Sequence, residues 1–181
     1  MSSYLGNFNG QKITGTSKAL VSTSGGAFDS LTLTNIHGSN AATVDLYYAN
    51  TSGNDITDTS TNSNEAANAA TTAEVELTVD GTTATNDTFL NEKVFKSDGT
   101  LFGTCTTVNS GTSIVFLNGL SQTLANNDDL FTGTRYYILK TFSIPVASTL
   151  VLDSNDINFD ATEYALYIKL GAGTIDLTRR Q

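Results

Sequence analysis

The chain has 181 residues, room for one domain of ordinary size or two small ones. Its formal charge of −9 and pI near 4.3 exclude a basic nucleic-acid-binding face and disfavour docking on an anionic membrane. One Pro, no Trp, and many Thr, Ser, Asn and Gly beside few Lys and Glu make an all-β composition.

The first residues, MSSYLGNFNGQK, lack a basic stretch followed by an apolar run, so no signal peptide is expected. No apolar run approaches the roughly 18 residues of a membrane span, and a soluble intracellular product is expected. Residues 1–12 read as an arm. Tyr4, Leu5 and Phe8 are apolar but interrupted by Gly6, Asn7, Asn9 and Gly10, which suits docking against a neighbour. Strands are predicted at Ile13–Ser22, Phe28–His37 and Ala42–Asn50, with Gly25-Gly26 and Gly38-Ser39-Asn40 as turns. Leu31, Leu33, Val44, Leu46 and Tyr48 alternate with polar residues or with Tyr47, the pattern of half-buried strands.

Residues 51–72 carry almost no large side chain and read as a polar loop or linker that cannot pack. Strands resume at Glu74–Val79, closed by Asp80-Gly81, and continue at Thr88–Lys96, Leu101–Val108 and Thr112–Leu117. Gly103 lies inside one of them, where a bend or bulge is expected. The last quarter supplies Thr134–Leu152, Ile157–Leu170 and Thr174–Arg179, again alternating and joined by short turns. About seven outer strands, from residues 13–50 and 134–181, fit an antiparallel immunoglobulin-like or jelly-roll-like sandwich. Residues 73–133 are then an inserted small β-barrel, tolerated because loop closure costs grow only logarithmically.

Chemistry-bearing residues are sparse. His37, the one histidine, ends a strand and is expected to cap a turn. Cys105, the one cysteine, excludes an intrachain disulfide and reads as a small buried hydrophobe. Asp153, Asp156, Asp160 and Glu163 lie within eleven residues, and Asp156-x-Asn158-x-Asp160 resembles the opening of a calcium loop, yet Ala161 replaces the turn glycine and Tyr167 the closing Glu. Because Ile157 and Phe159 intervene, these acids read as the wet face of a strand. Asn126-Asn127-Asp128-Asp129 reads as a turn. In the pairs Tyr47-Tyr48 and Tyr136-Tyr137 one ring of each should face outward; Tyr47 and Tyr137 are the candidates for interface or sugar contact. No catalytic group, metal or cofactor is expected.

Two stretches carry a resemblance. Residues 73–132, with a strand, a Gly-centred bend and the closing NDDLF, resemble SH3-like or OB-like barrels of phage virion proteins. YYILKTFSIPVASTLV at 136–151, the acidic turn at 152–160 and YALYIKL at 164–170 resemble small virion structural proteins of tailed bacteriophages, marine cyanophages in particular, with a weaker echo in residues 31–48. Ala147 stands where those proteins often have Gly. The resemblance implies a non-enzymatic protein located in the virion and made in the host cytoplasm. It would be a capsid decoration protein clamping shell subunits, or a neck or tail component. Its partners would be other virion proteins and further copies of itself, with Tyr4, Leu5, Phe8, Tyr47 and Tyr137 as interface residues. A host-glycan-binding module is the alternative.

Overall fold

The computed structural model describes residues 8–15, 18–23, 29–64, 75–81, 84–116 and 119–180. Tyr4, Leu5, the Gly25-Gly26 turn and residues 65–74 lie outside them. The described residues form fourteen strands and one short helix, an all-β fold. They divide into two compact units, residues 1–48 with 136–181, and residues 49–135.

The first unit contains β1 (Phe8–Thr14), β2 (Ala19–Ser22), β3 (Ser30–Asn35) and β4 (Ala42–Asn50) from the first part of the chain. From the last part come β11 (Arg135–Ile144), β12 (Thr149–Asp153), α1 (Ser154–Ile157), β13 (Tyr164–Ala172) and β14 (Thr174–Arg180). Two four-stranded sheets result, ordered β1-β14-β3-β12 and β11-β4-β13-β2. First strand therefore lies beside last, second beside second-to-last, and so inward, with successive pairs alternating between sheets. A long hairpin rolled in this way is an eight-stranded jelly roll.

The sequence pattern explains why it closes. In β3 the burial alternates strictly, so Leu31 and Leu33 point inward while Thr32 and Thr34 face out. Leu33 is registered with Leu177 on one side and Leu150 on the other. Ile13, Val44, Leu46, Leu166, Ile168 and Ile175 complete one contiguous core between the sheets. Asn35 ends β3 buried, and its side-chain amide donates to the carbonyls of Asn40, Ile144 and Pro145 at 3.0, 2.9 and 3.1 Å. Its Oδ1 accepts from the His37 amide at 2.9 Å, so one polar side chain ties two loops together. Ala147 adopts φ 55° in the tight turn after Pro145, a left-handed conformation that glycine enters more easily.

The second unit holds β5 (Ile56–Asn62), β6 (Val75–Thr78), β7 (Lys93–Phe95), β8 (Leu101–Ser110), β9 (Ser113–Phe116) and β10 (Asp129–Gly133). They form one sheet ordered β5-β10-β7-β8-β9-β6. Its two edges meet: Ser63 bridges Val79, Asn64 donates to Thr78 at 2.8 Å, and Asp80 donates to Asn62 at 2.8 Å. The sheet is thus a closed six-stranded barrel filled by Leu77, Phe89, Phe102, Ile114, Phe116 and Leu130. Gly103 sits where a Cβ would come within 2.9 Å of the Phe116 ring, and the β7–β8 register slips opposite it.

Several boundaries differ from the sequence reading. Phe8 begins β1, which pairs with β14 from Phe8↔Arg180 to Thr14↔Thr174, so the second half of the supposed arm is strand. Ile13–Ser22 is not one strand. Gly15 at φ 73° breaks it, and its halves join different sheets. The loop predicted at 51–72 contains β5, which pairs with β10 and belongs to the barrel unit. Hydroxyls replace apolar bulk there: Thr61 and Ser63 are buried, and Ser63 Oγ donates to the Ala125 carbonyl. Residues 85–91 form a helical turn, with Phe89 donating to Thr85 at 3.0 Å, which leaves only Lys93–Phe95 extended. Residues 154–157 are likewise a helical turn rather than the start of a strand.

Candidate functional site

The long strand β11 is an outer strand of its sheet and exposes three aromatic rings: Tyr136 (49%), Tyr137 (41%) and Phe142 (41%). Thr141 within it has φ 52°, a genuine outlier for a β-branched residue. Asp45 on the neighbouring strand β4 accounts for it. One carboxylate oxygen accepts from the Thr141 amide at 2.6 Å and the other binds Lys140 Nζ at 3.2 Å. The kink turns Lys140 back over the Tyr137 ring, with Nζ 4.0 Å from the centroid. The Lys140 ammonium is held above its ordinary pKa, first by its hydrogen bond with Tyr137 and then, against a small desolvation, by Asp45.

Tyr137 starts a row of rings across three strands. Its ring lies 5.2 Å from Tyr47, Tyr47 lies 5.7 Å from Tyr167 and nearly parallel to it, and Lys18 sits 5.6 Å from the Tyr167 centroid. Tyr136 meets Tyr164 edge-on at 6.1 Å. An interrupted backbone hinders addition of another strand, while the rings remain accessible. What β11 offers a neighbour is exposed rings on both of its faces, Tyr136 on one and Tyr137, with a cation above it, on the other.

Tyr47, expected to face outward, is fully buried, a correction to the sequence reading. Leu46 and Tyr47 are adjacent and both inaccessible because both faces of β4 are covered at that point. Tyr137 is exposed, and the structure joins it to Tyr47 as neighbouring rings. Tyr4 and Leu5 are outside the described residues, and of Phe8 only its place in β1 is described. Lys140, Asp45 and Phe142 went unrecognised. Regular alternation puts positions 137 and 140 on opposite faces, and only the kink at Thr141 brings them together.

A second concavity lies on the outer wall of the barrel. It is a cleft of about 380 Å³, floored by Thr57, Asp58 and Thr59 of β5 and by Thr132 and Gly133 of β10, with Thr134 beyond the strand end. Thr88, on the turn at residues 85–91, and Arg135 form its side. The Arg135 guanidinium contacts the Asp87 carboxylate and carbonyl, the Thr88 carbonyl at 3.4 Å and the buried Glu92 carboxylate at 3.4 Å. Those contacts fasten the turn in place.

The remaining candidates are tied to the backbone. Asp153 and Asp156 make a capping box at α1, so they are helix caps and not the wet face of a strand. Asp160 accepts from the Thr162 hydroxyl at 2.7 Å and amide at 2.8 Å, which holds it below the usual carboxylate range. Asp128 accepts from the Ala125 amide at 2.8 Å, and Asn127 takes φ 65°. His37 Nδ1 accepts from the amides of Ser39 and Asn40 at 3.3 and 3.0 Å, capping its turn. Cys105 is buried in the barrel core. Among the described residues no group of three or more His, Cys, Asp or Glu is placed to hold a metal ion, and no helix is long and apolar enough to cross a membrane. Comparison with known proteins finds no matching family model, no matching curated protein and no matching solved structure.

Proposed function

We propose that this chain is a non-enzymatic structural component of a tailed-phage particle, a decoration protein that clamps neighbouring shell subunits through the exposed aromatic side chains of β11. The observation that carries the reading is the kinked outer strand itself. Three large rings stay in solvent on a strand whose backbone is bent by Asp45, an arrangement that favours side-chain docking over sheet extension. Tyrosine is among the side chains that most often anchor protein interfaces, and β11 exposes two. The jelly roll adds rigidity behind them, because the Tyr137–Tyr47–Tyr167 row carries the surface into the sheet. The architecture is shared by capsid and lectin domains, which is a fold-level analogy only.

The test is incorporation. Purified particles should contain the chain in many copies, and a density map should place β11 against a shell subunit. The triple variant Tyr136→Ala, Tyr137→Ala, Phe142→Ala should be largely lost from particles while it still unfolds cooperatively on heating, as the parent chain does. Particles without the chain, or full incorporation of the variant, would refute the proposal.

A further inference from the structure

We infer that the threonine-lined cleft on the barrel wall is a binding site for a neutral saccharide. This does not rest on the shell-clamping role, which uses a different strand in the other unit. The cleft volume, about 380 Å³, falls in the range of small-molecule sites. Its lining is dominated by hydroxyls. Thr57 and Thr134 share one hydrogen bond at 2.9 Å, and Thr59 donates to the Leu130 carbonyl at 2.6 Å, so each hydroxyl is oriented and still has lone pairs to offer. Groups that both donate and accept are the complement of sugar hydroxyls.

Charge narrows the ligand further. Two charged side chains line the cleft, Asp58 and Arg135, and the Arg135 guanidinium is already engaged by the Asp87 and Glu92 carboxylates. Phosphate and uronate are therefore disfavoured although an arginine is present. The site is also preformed. Arg135 contacts four oxygens of residues 87, 88 and 92, which sets Thr88 opposite Thr57 and Thr59 without reorganisation on binding. Among the described residues no aromatic ring lines the cleft, so affinity comes from hydrogen bonds exchanged with water and should be about 1 mM.

The experiment is a titration of the full chain by two-dimensional amide NMR with glucose, galactose and N-acetylglucosamine, and separately with glucuronate and inorganic phosphate. At least one neutral sugar should give saturable shifts at the amides of residues 57–59 and 132–134. The paired change Thr57→Val, Thr134→Val removes two mutually bonded hydroxyls at constant shape and should weaken binding about fivefold or more. If that variant loses its dispersed spectrum, Thr88→Val, on the exposed turn, carries the same expectation. Absence of saturable shifts up to about 50 mM sugar would overturn the inference. So would shifts confined to other residues, unchanged affinity in a folded variant, or tighter binding of glucuronate or phosphate.

Discussion

Replacing Gly133 by Ala tests the idea that the barrel's stem is a close backbone contact. A Cβ at Gly133 would lie 1.9 Å from the Asn50 carbonyl oxygen and 2.8 Å from the Asn50 amide nitrogen. Reaching ordinary contact means separating the two segments by more than 1 Å, since no flexible side chain can yield. That displacement breaks the hydrogen bond from the Asn50 amide to the Thr134 carbonyl, 3.1 Å long, and disturbs the Gly133↔Ile56 pairing. Overpacking of this kind costs about 1–3 kcal/mol and the lost bond about 1 kcal/mol, so a loss of about 2–4 kcal/mol is expected. Gly171→Ala is the control, because its Cβ would meet only the Thr43 side chain at 3.5 Å and should change stability by no more than about 0.5 kcal/mol. The assay is urea unfolding read amide by amide, with Ile56 and Phe131 reporting on the barrel and Leu33 and Leu177 on the sandwich, since two units need not unfold together. Expected is an early barrel transition for Gly133→Ala. A barrel midpoint equal to that of the parent chain, or an equal loss for Gly171→Ala, would refute the reasoning.

Asn35→Asp should be strongly destabilising at neutral pH. A carboxylate would face the carbonyls of Asn40, Ile144 and Pro145 in place of an amide donor, a loss of about 3 kcal/mol or more. Thermal melting within 2 °C of the parent would contradict it, on a scale of roughly 2–8 °C per kcal/mol. Tyr48 offers a pH-dependent test. Burial, then the nearby Asp156 charge, pushes its pKa up to about 12, above the ordinary 10.0. The folded state therefore keeps its proton where the unfolded state releases it. The stability this confers is fully present below pH 10 and is lost as pH rises from 10 to about 12. Its buried hydroxyl has no hydrogen-bond partner among the described residues, so Tyr48→Phe should leave neutral-pH stability within about 0.5 kcal/mol and flatten the alkaline decline. An unchanged alkaline profile in Tyr48→Phe would assign the decline to another group.

How much could be read from the amino-acid pattern depended on what buries each strand. β3, β4, β12 and β14 alternate apolar and polar residues and were legible, because their packing is a transfer of hydrocarbon out of water. β5 was not. Its buried members, Thr61 and the adjoining Ser63, are polar, and they are held by backbone pairing that composition does not reveal. β1 was hidden for a related reason, since Asn9, Gly10 and Gln11 have weak strand preference and take their form from β14. Conversely, residues 88–92 looked extended because Phe89 is apolar, whereas its ring reaches the barrel core from a helical turn. The aromatic surface was half visible. Adjacent tyrosines marked β11, but the contact of Lys140 with Tyr137 depends on a positive φ at a threonine, which no local preference would suggest.

The meeting of residues 62–64 with residues 78–80 has a consequence for how the chain meets other molecules. A six-stranded addition to a β-protein would ordinarily bring two more raw ribbons, each a template for fusing with the next molecule. Here the two outer strands meet at one bridge with a hydrogen bond on either side, so part of their amide and carbonyl rows is paired internally. Side by side, such molecules present shorter unpaired margins from the insert than an open six-stranded sheet would.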